Sequence, residues 1–198
     1  ASRDTEELAY IADIISRYDF VAIQELRDSE VMNRLLRMLP GYSAQVSGPA
    51  GRGVKERYAF VYKKDVFTPL HQGVLFPDSR DYFIREPYIS SFRCGTFDFT
   101  LVTIHLLYGN SKSERREELQ YLDEVISVVN CWNGLEKDII LLGDFNFPAD
   151  DYGWQLEGYM PLVSPDTKTT ITDSSSYDNI WIDSIHTNEV SKESEVFR

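Results

Sequence analysis

Apolar strand runs alternate with helical stripes along this chain, and several of those runs stop abruptly at carboxylates, amides or a histidine. Residues Glu6 to Arg17 place Leu8, Ile11, Ala12, Ile14 and Ile15 at helical spacing, which predicts an amphipathic helix. The run Phe20-Val21-Ala22-Ile23 reads as a buried strand. A second helical stripe follows, Val31, Met32, Leu35, Leu36 and Leu39, closed by Pro40-Gly41. From Tyr42 to His105 the pattern is strand-like, with aromatic and β-branched residues concentrated in Tyr58–Tyr62, Tyr88–Phe92 and Phe97–Ile104. A long helix is expected from about Ser113 to Cys131, with Leu119, Leu122, Val125, Ile126 and Val129 on one face and Ser111 and Glu114 as its capping box. Ile139–Leu142 and Asn179–Ile182 complete the strands. This alternation, without a repeat or a linker, predicts a layered α/β (α+β) domain with packed sheets.

The composition sets limits on partners. The chain has 198 residues, 42% hydrophobic and 26% charged, ordinary proportions for a folded globular domain with a substantial core. No apolar run approaches the ~20 residues that cross a bilayer, and no basic-then-apolar leader opens the sequence. Membrane insertion is not expected, and the compartment stays open. The net charge of −12 opposes loose attachment to a polyanion, because such binding rests on Lys and Arg neutralising phosphates. A nuclease with this balance must concentrate positive charge locally or recruit cations to its carboxylates. Cys94 and Cys131 allow one disulfide or two thiols.

The polar residues at the strand ends are candidates for chemistry. Gly143-Asp144-Phe145-Asn146 follows Ile139–Leu142, and Gln24-Glu25 follows Phe20–Ile23. Carboxylate and amide oxygens are hard ligands suited to Mg²⁺ or Ca²⁺. Asp, Asn and Gly also start ordinary turns, so each cluster has a plain structural reading too. His105 ends the strand Phe97–Ile104, Glu56 sits in Lys55-Glu56-Arg57-Tyr58, and Asp178 precedes the strand Asn179–Ile182. A lone strand-end histidine, a solvated strand glutamate and a turn aspartate would account for these singly. Their order and spacing are harder to dismiss.

Taken together, Gln-Glu, Lys-Glu-Arg-Tyr, Arg85-Glu86-Pro87, Leu-Val-Thr-Ile-His, Gly-Asp-Phe-Asn and Tyr-Asp-Asn-Ile resemble the endonuclease/exonuclease/phosphatase superfamily, on the branch of deoxyribonuclease I. The resemblance runs from Phe20 to Trp181. It implies a four-layer α/β/β/α sandwich of two mostly antiparallel sheets packed face to face with helices outside. It implies Glu25 as a metal ligand, and Asp144 and Asn146 at the scissile phosphate. His105 would be the acid/base, Glu56 the group that orients it, Arg85 a contact to the nucleic-acid backbone, and Asp178 a catalytic aspartate. The implied activity is divalent-metal-dependent phosphodiester hydrolysis of DNA with Mg²⁺, or Mn²⁺ or Ca²⁺, by a protein acting as a monomer.

Two other readings are set beside it: a phosphatase or phosphodiesterase of the same fold acting on phosphoinositides or other lipid phosphate esters, and a catalytically silent binding module on the same scaffold. The resemblance also implies that residues 1–198 form a single domain of this type lacking the family's first strand and its C-terminal Ser-Asp-His strand. Sheet edges would then lie unpaired.

Overall fold

Apolar residues on both faces of several strands force two sheets against each other, with helices covering the outer faces. A computed structural model describes residues 4–51, 53, 56–134, 137–151, 156–187, 191 and 193–196. In chain order the elements are α1 (Thr5–Ser16), β1 (Phe20–Leu26), α2 (Ser29–Met38), β2 (Tyr42–Val46), β3 (Arg57–Lys63), β4 (Phe67–Pro69), β5 (Val74–Leu75), β6 (Tyr88–Cys94) and β7 (Phe97–His105). Then come α3 (Lys112–Leu119), α4 (Leu122–Asn133), β8 (Ile139–Asp144), β9 (Tyr159–Pro161) and β10 (Asp178–Asp183).

The first sheet has the order β1-β3-β2. The second has seven strands in the order β4-β6-β7-β8-β10-β9, with β5 also paired to β6. Every pairing is antiparallel except β7 with β8. A parallel pair cannot be joined by a tight turn, so a crossover is required, and α3 with α4 supplies it. The result is the α/β/β/α sandwich that the sequence motifs imply.

Three apolar layers separate the four structural ones. Leu8, Ala12 and Ile15 of α1 and Met32 and Leu35 of α2 pack on Ala59 and Val61 of β3. Leu119, Leu122, Val125 and Val129 pack on Val102, Ile104, Ile139 and Leu141. Between the sheets lies an aromatic layer, Tyr58, Phe60, Tyr62, Tyr88, Phe92 and Phe99, joined by Phe20. The Phe20 ring meets that of Phe92 edge-on at 4.9 Å and that of Phe67 at 5.1 Å, geometries that suit the ring quadrupoles. Phe92 is fully buried, and truncating it to Ala would cost about 3–5 kcal/mol.

The single helix expected over residues 113–131 is two helices. Gln120 caps the first, and Tyr121 begins the second without a side-chain cap. The break lets Leu119 and Leu122 both reach the core while the Tyr121 ring stacks on Tyr82 at 3.6 Å. Ser111 caps α3 as expected, accepting from Glu114 N–H. The return bond from Glu114 goes to Asn110 N–H rather than Ser111 N–H. A full capping box appears instead at α1, between Asp4 and Glu7. Cys94 and Cys131 are both free thiols, which resolves the alternative left by the sequence.

Candidate active site

The carboxyl ends of β7 and β8 lie side by side, because the two strands are parallel, and the amino end of antiparallel β10 meets the same rim. Register makes the placement explicit: His105 pairs with Asp144 across β7 and β8, and Asp144 pairs with Asp178 across β8 and β10. Three candidate side chains, drawn from positions 105 to 178, thus occupy one rung. The carboxyl ends of parallel strands are where open α/β sheets generally gather their ligands. Gly143 permits the close approach of β7 and β8 at this point. Its φ is +135°, and a Cβ there would lie 2.1 Å from the Ile104 carbonyl oxygen.

The facing sheet adds the rest. Ile23 pairs with Ala59 and Leu26 with Arg57, so Gln24 and Glu25 together oppose one residue of β3. Strand alternation would send these two side chains to opposite faces. The bulge, with Glu25 at φ +58°, instead turns both toward β7. Gln24 Nε2 donates to Thr103 Oγ1 at 2.8 Å, and Glu25 Oε1 lies 3.9 Å from His105 Nε2. The pair therefore stands inside β1 as a bulge, not beyond the end of a strand as the sequence suggested. A non-glycine residue held at positive φ costs on the order of 1–3 kcal/mol, a strain that recurs at functional sites.

His105 is buried and held from one side. Its Nδ1 is 3.1 Å from Glu56 Oε2. An ionised carboxylate can only accept, so Nδ1–H donates and the Nε2 lone pair faces the rim. There Nε2 looks toward Glu25 at 3.9 Å and Asp144 Oδ2 at 4.0 Å, both beyond hydrogen-bond range. Behind Glu56, Arg85 Nε sits 2.6 Å from the same Oε2, a contact close enough for an ion pair though the N–H is not aligned for a hydrogen bond. Arg85 Nη1 donates to the His105 carbonyl at 3.3 Å. The Arg85 side chain is only 15% exposed, so most of it serves Glu56 and His105. Lys55, from the same sequence segment as Glu56, lies outside the described residues.

Asn146 is buried just past β8 at φ +50°, a conformation that asparagine tolerates better than most residues. Its N–H donates to Asp144 Oδ1 at 2.8 Å, and its Nδ2 donates to the Leu106 carbonyl at 2.7 Å. Burial pushes the Asp144 carboxyl above its ordinary range, and the negative charges of Asp178 and Glu25 push the same way; Asn146 N–H and His105 pull against them. Asp178 is exposed, and its N–H donates to Thr169 Oγ1 at 3.0 Å, as does that of Tyr177 at 2.9 Å. His186, by contrast, pairs with Asp183 at the far end of β10.

Among the described residues no Lys or Arg pairs with Glu25, Asp144 or Asp178. No three His, Cys, Asp or Glu side chains close into a ready-made metal cage there either. The donor set nevertheless suits a hard divalent cation: oxygen ligands, uncompensated negative charge and an exposed Glu25. A site of this kind leaves part of the shell to water and phosphate, as Mg²⁺ prefers.

Sequence reasoning missed two supporting residues. Glu118 is buried and accepts from Ile84 N–H and Leu107 N–H, both at 2.5 Å, tying the residue before Arg85 to the turn after His105. Burial pushes its carboxyl above the ordinary range as well. A signal was present, since Glu118 stands four residues before Leu122 and seven before Val125, on the apolar stripe itself. Thr169 holds the Tyr177–Asp178 backbone from a loop that no periodicity marks.

Comparison with known proteins follows the same lines. The chain matches the profile of the Endonuclease/Exonuclease/phosphatase family over residues 1–154. It is 31% identical to a deoxyribonuclease of Thioalkalivibrio sp. (strain K90mix) over 195 residues, covering 89% of this chain and 53% of that protein. It is 35% identical to human deoxyribonuclease-1 over 154 residues, covering 70% of this chain and 53% of that one. The chain thus spans about half the length of these relatives. Among solved structures, a mannosyl-6-phosphatase of Bacteroides thetaiotaomicron VPI-5482 superposes with a TM-score of 0.65 at 19% identity, covering 91% of this chain and 77% of that one. At that identity the likeness is one of fold.

Proposed function

This chain belongs to the Endonuclease/Exonuclease/phosphatase family, and from that premise we propose that it is a divalent-metal-dependent phosphodiester hydrolase, an endonuclease of the deoxyribonuclease I type acting on DNA. The observation that carries the reading is the convergence of a histidine, oriented from behind by a buried carboxylate, with a group of carboxylates beside its other ring nitrogen. The relatives named deoxyribonuclease favour DNA among the phosphate esters this fold can serve.

Hydrolysis requires water to attack phosphorus while charge builds on the phosphoryl oxygens and on the departing oxygen. His105 Nε2 takes the proton of the attacking water, or in its protonated form gives one to the departing oxygen. An imidazole with an unperturbed pKa of ~6.5 can do either near neutral pH. Glu56 fixes the tautomer and supports the imidazolium when it forms. Arg85 holds Glu56, and its second Nη, which no described residue engages, remains for a phosphate oxygen. Asn146 positions Asp144, and Asp144 and Asp178 orient the reacting water. A Mg²⁺, Mn²⁺ or Ca²⁺ ion held by Glu25 would supply positive charge beside the phosphoryl oxygens.

The test compares nicking of a supercoiled plasmid with release of phosphate from an inositol lipid, each in MgCl₂ and in EDTA. The expected outcome is magnesium-dependent nicking without lipid hydrolysis. Full nicking in EDTA removes the metal from the account, and lipid hydrolysis alone moves the substrate to a lipid phosphate ester.

A further inference from the structure

The helix α3 carries three cations, and they are treated differently. Lys112 and Arg116 both reach Asp151, at 2.6 and 2.5 Å, and share its carboxylate. Arg115 has no carboxylate at ion-pair distance among the described residues. Its guanidinium instead lies 4.3 Å from the centre of the Tyr108 ring and 5.9 Å from that of Tyr177, and its Nη1 donates to the Tyr177 hydroxyl at 3.0 Å. Its Nε is buried without a hydrogen-bond partner among the described residues. The two rings themselves meet edge-on at 6.3 Å.

Arg115 differs from its two neighbours on α3 in being held by aromatic rings and a hydroxyl instead of a carboxylate. Aromatic faces hold a guanidinium in place without cancelling its charge. The position gives that charge a purpose. Tyr177 immediately precedes Asp178, and Tyr108 lies three residues beyond His105, so the platform hangs from the ends of the two strands that frame the rung. Tyr108 is 57% exposed, leaving ring surface for a further planar group. A rigid cation beside an open aromatic ring is the pairing that follows a nucleic-acid strand: the cation takes a phosphate and the ring takes a base.

We propose that Arg115, clamped by Tyr108 and Tyr177, binds the backbone of the DNA strand at a phosphate flanking the scissile one, with Tyr108 supporting the adjacent nucleotide. This deepens the phosphodiesterase reading of the site and rests on it. The platform is a substrate-binding element: it adds affinity for a strand and contributes nothing to a small diester that ends at the reacting group.

Steady-state hydrolysis of a duplex oligonucleotide and of bis(p-nitrophenyl) phosphate is compared for the wild type, Arg115→Ala, Arg115→Lys and Tyr108→Ala. Binding of a fluorescein-labelled duplex in EDTA is followed by anisotropy over a range of salt. Arg115→Ala is expected to weaken oligonucleotide KM and Kd by about 10-fold or more, the scale of one charge-assisted hydrogen bond. It should also lower the salt slope of binding by about 1, the signature of one lost phosphate contact. Turnover of bis(p-nitrophenyl) phosphate stays unchanged. Arg115→Lys restores the salt slope, and Tyr108→Ala weakens binding by less than Arg115→Ala. Equal losses on both substrates, or an unchanged Kd and salt slope in Arg115→Ala, overturn the proposal. Failure of the wild type to bind the duplex overturns it too, while leaving small-diester hydrolysis to judge the underlying phosphodiesterase reading separately. A wild type that binds the duplex through Arg115 yet cleaves neither substrate sinks that reading and leaves the strand contact standing.

Discussion

The two halves of the site are built on opposite electrostatic plans. On one side of His105 lies a buried set, Glu56 and Arg85, with side chains 11% and 15% exposed, in which each charge faces its opposite at close range. On the other side lies an open set, Glu25, Asp144 and Asp178, in which carboxylates face carboxylates and no Lys or Arg answers them among the described residues. Like charges gathered at a rim store unfavourable energy that folding alone does not relieve. The buried half is therefore complete within the protein, whereas the open half is complementary to positive charge from outside. His105 joins them through its two ring nitrogens, one committed and one free.

That division can be broken first where its consequence is largest. His105→Ala should lower turnover on the order of 10²–10⁴-fold, the usual worth of a general acid or base, with the fold intact by circular dichroism. Unchanged turnover would separate both halves from the chemistry. Glu56→Ala should act on stability as well as rate. Removing one partner of a buried pair leaves Arg85 uncompensated, at a cost of about 3–5 kcal/mol, read as a lower urea midpoint. Glu25→Gln, in the open half, should lose activity without that cost. Equal destabilisation by the two variants would erase the distinction.

A fourth change should run the other way. The Asp144 carboxyl is raised by burial and by its acidic neighbours, so the folded state keeps this proton to a higher pH than the unfolded chain, whose aspartates ionise near ~3.9. Across the interval between the two values the folded state binds more protons, and stability falls as pH rises. Asp144→Asn removes that penalty while Asn146 N–H can still donate to the amide oxygen. In EDTA the variant should melt slightly above the wild type at pH 7, with the gap closing toward pH 4, and it should be inactive. A variant that melts lower at pH 7 would show that the ionised carboxylate stabilises the fold.

The parts legible in the sequence were those that periodicity or local motif encodes. Ile139–Leu142 and Phe97–Ile104 announced strands, and their polar ends fell within reach of each other because register places residues 105, 144 and 178 on one rung. Three things were not legible. The bulge at Gln24-Glu25 depends on pairing with β3, which no local pattern of β1 reveals, so the two residues read as a strand end. The break between α3 and α4 depends on Tyr121 stacking against Tyr82, a contact across 39 positions of sequence. The resemblance implied Arg85 as a contact to the nucleic-acid backbone, but nothing in the sequence revealed that most of its side chain is drawn inward by Glu56, a partner 29 residues away. Where a side chain's place is set by another element, composition and spacing are silent about it.

The account stands or falls on the open half collecting a divalent cation through Glu25. Calorimetric titration of Mg²⁺ at pH 7 into the wild type, Glu25→Gln and Glu56→Gln measures this directly. Binding should weaken at least about 10-fold in Glu25→Gln, the loss of about 1.4 kcal/mol, and stay near the wild-type value in Glu56→Gln. Equal Mg²⁺ affinity in the wild type and Glu25→Gln would contradict it.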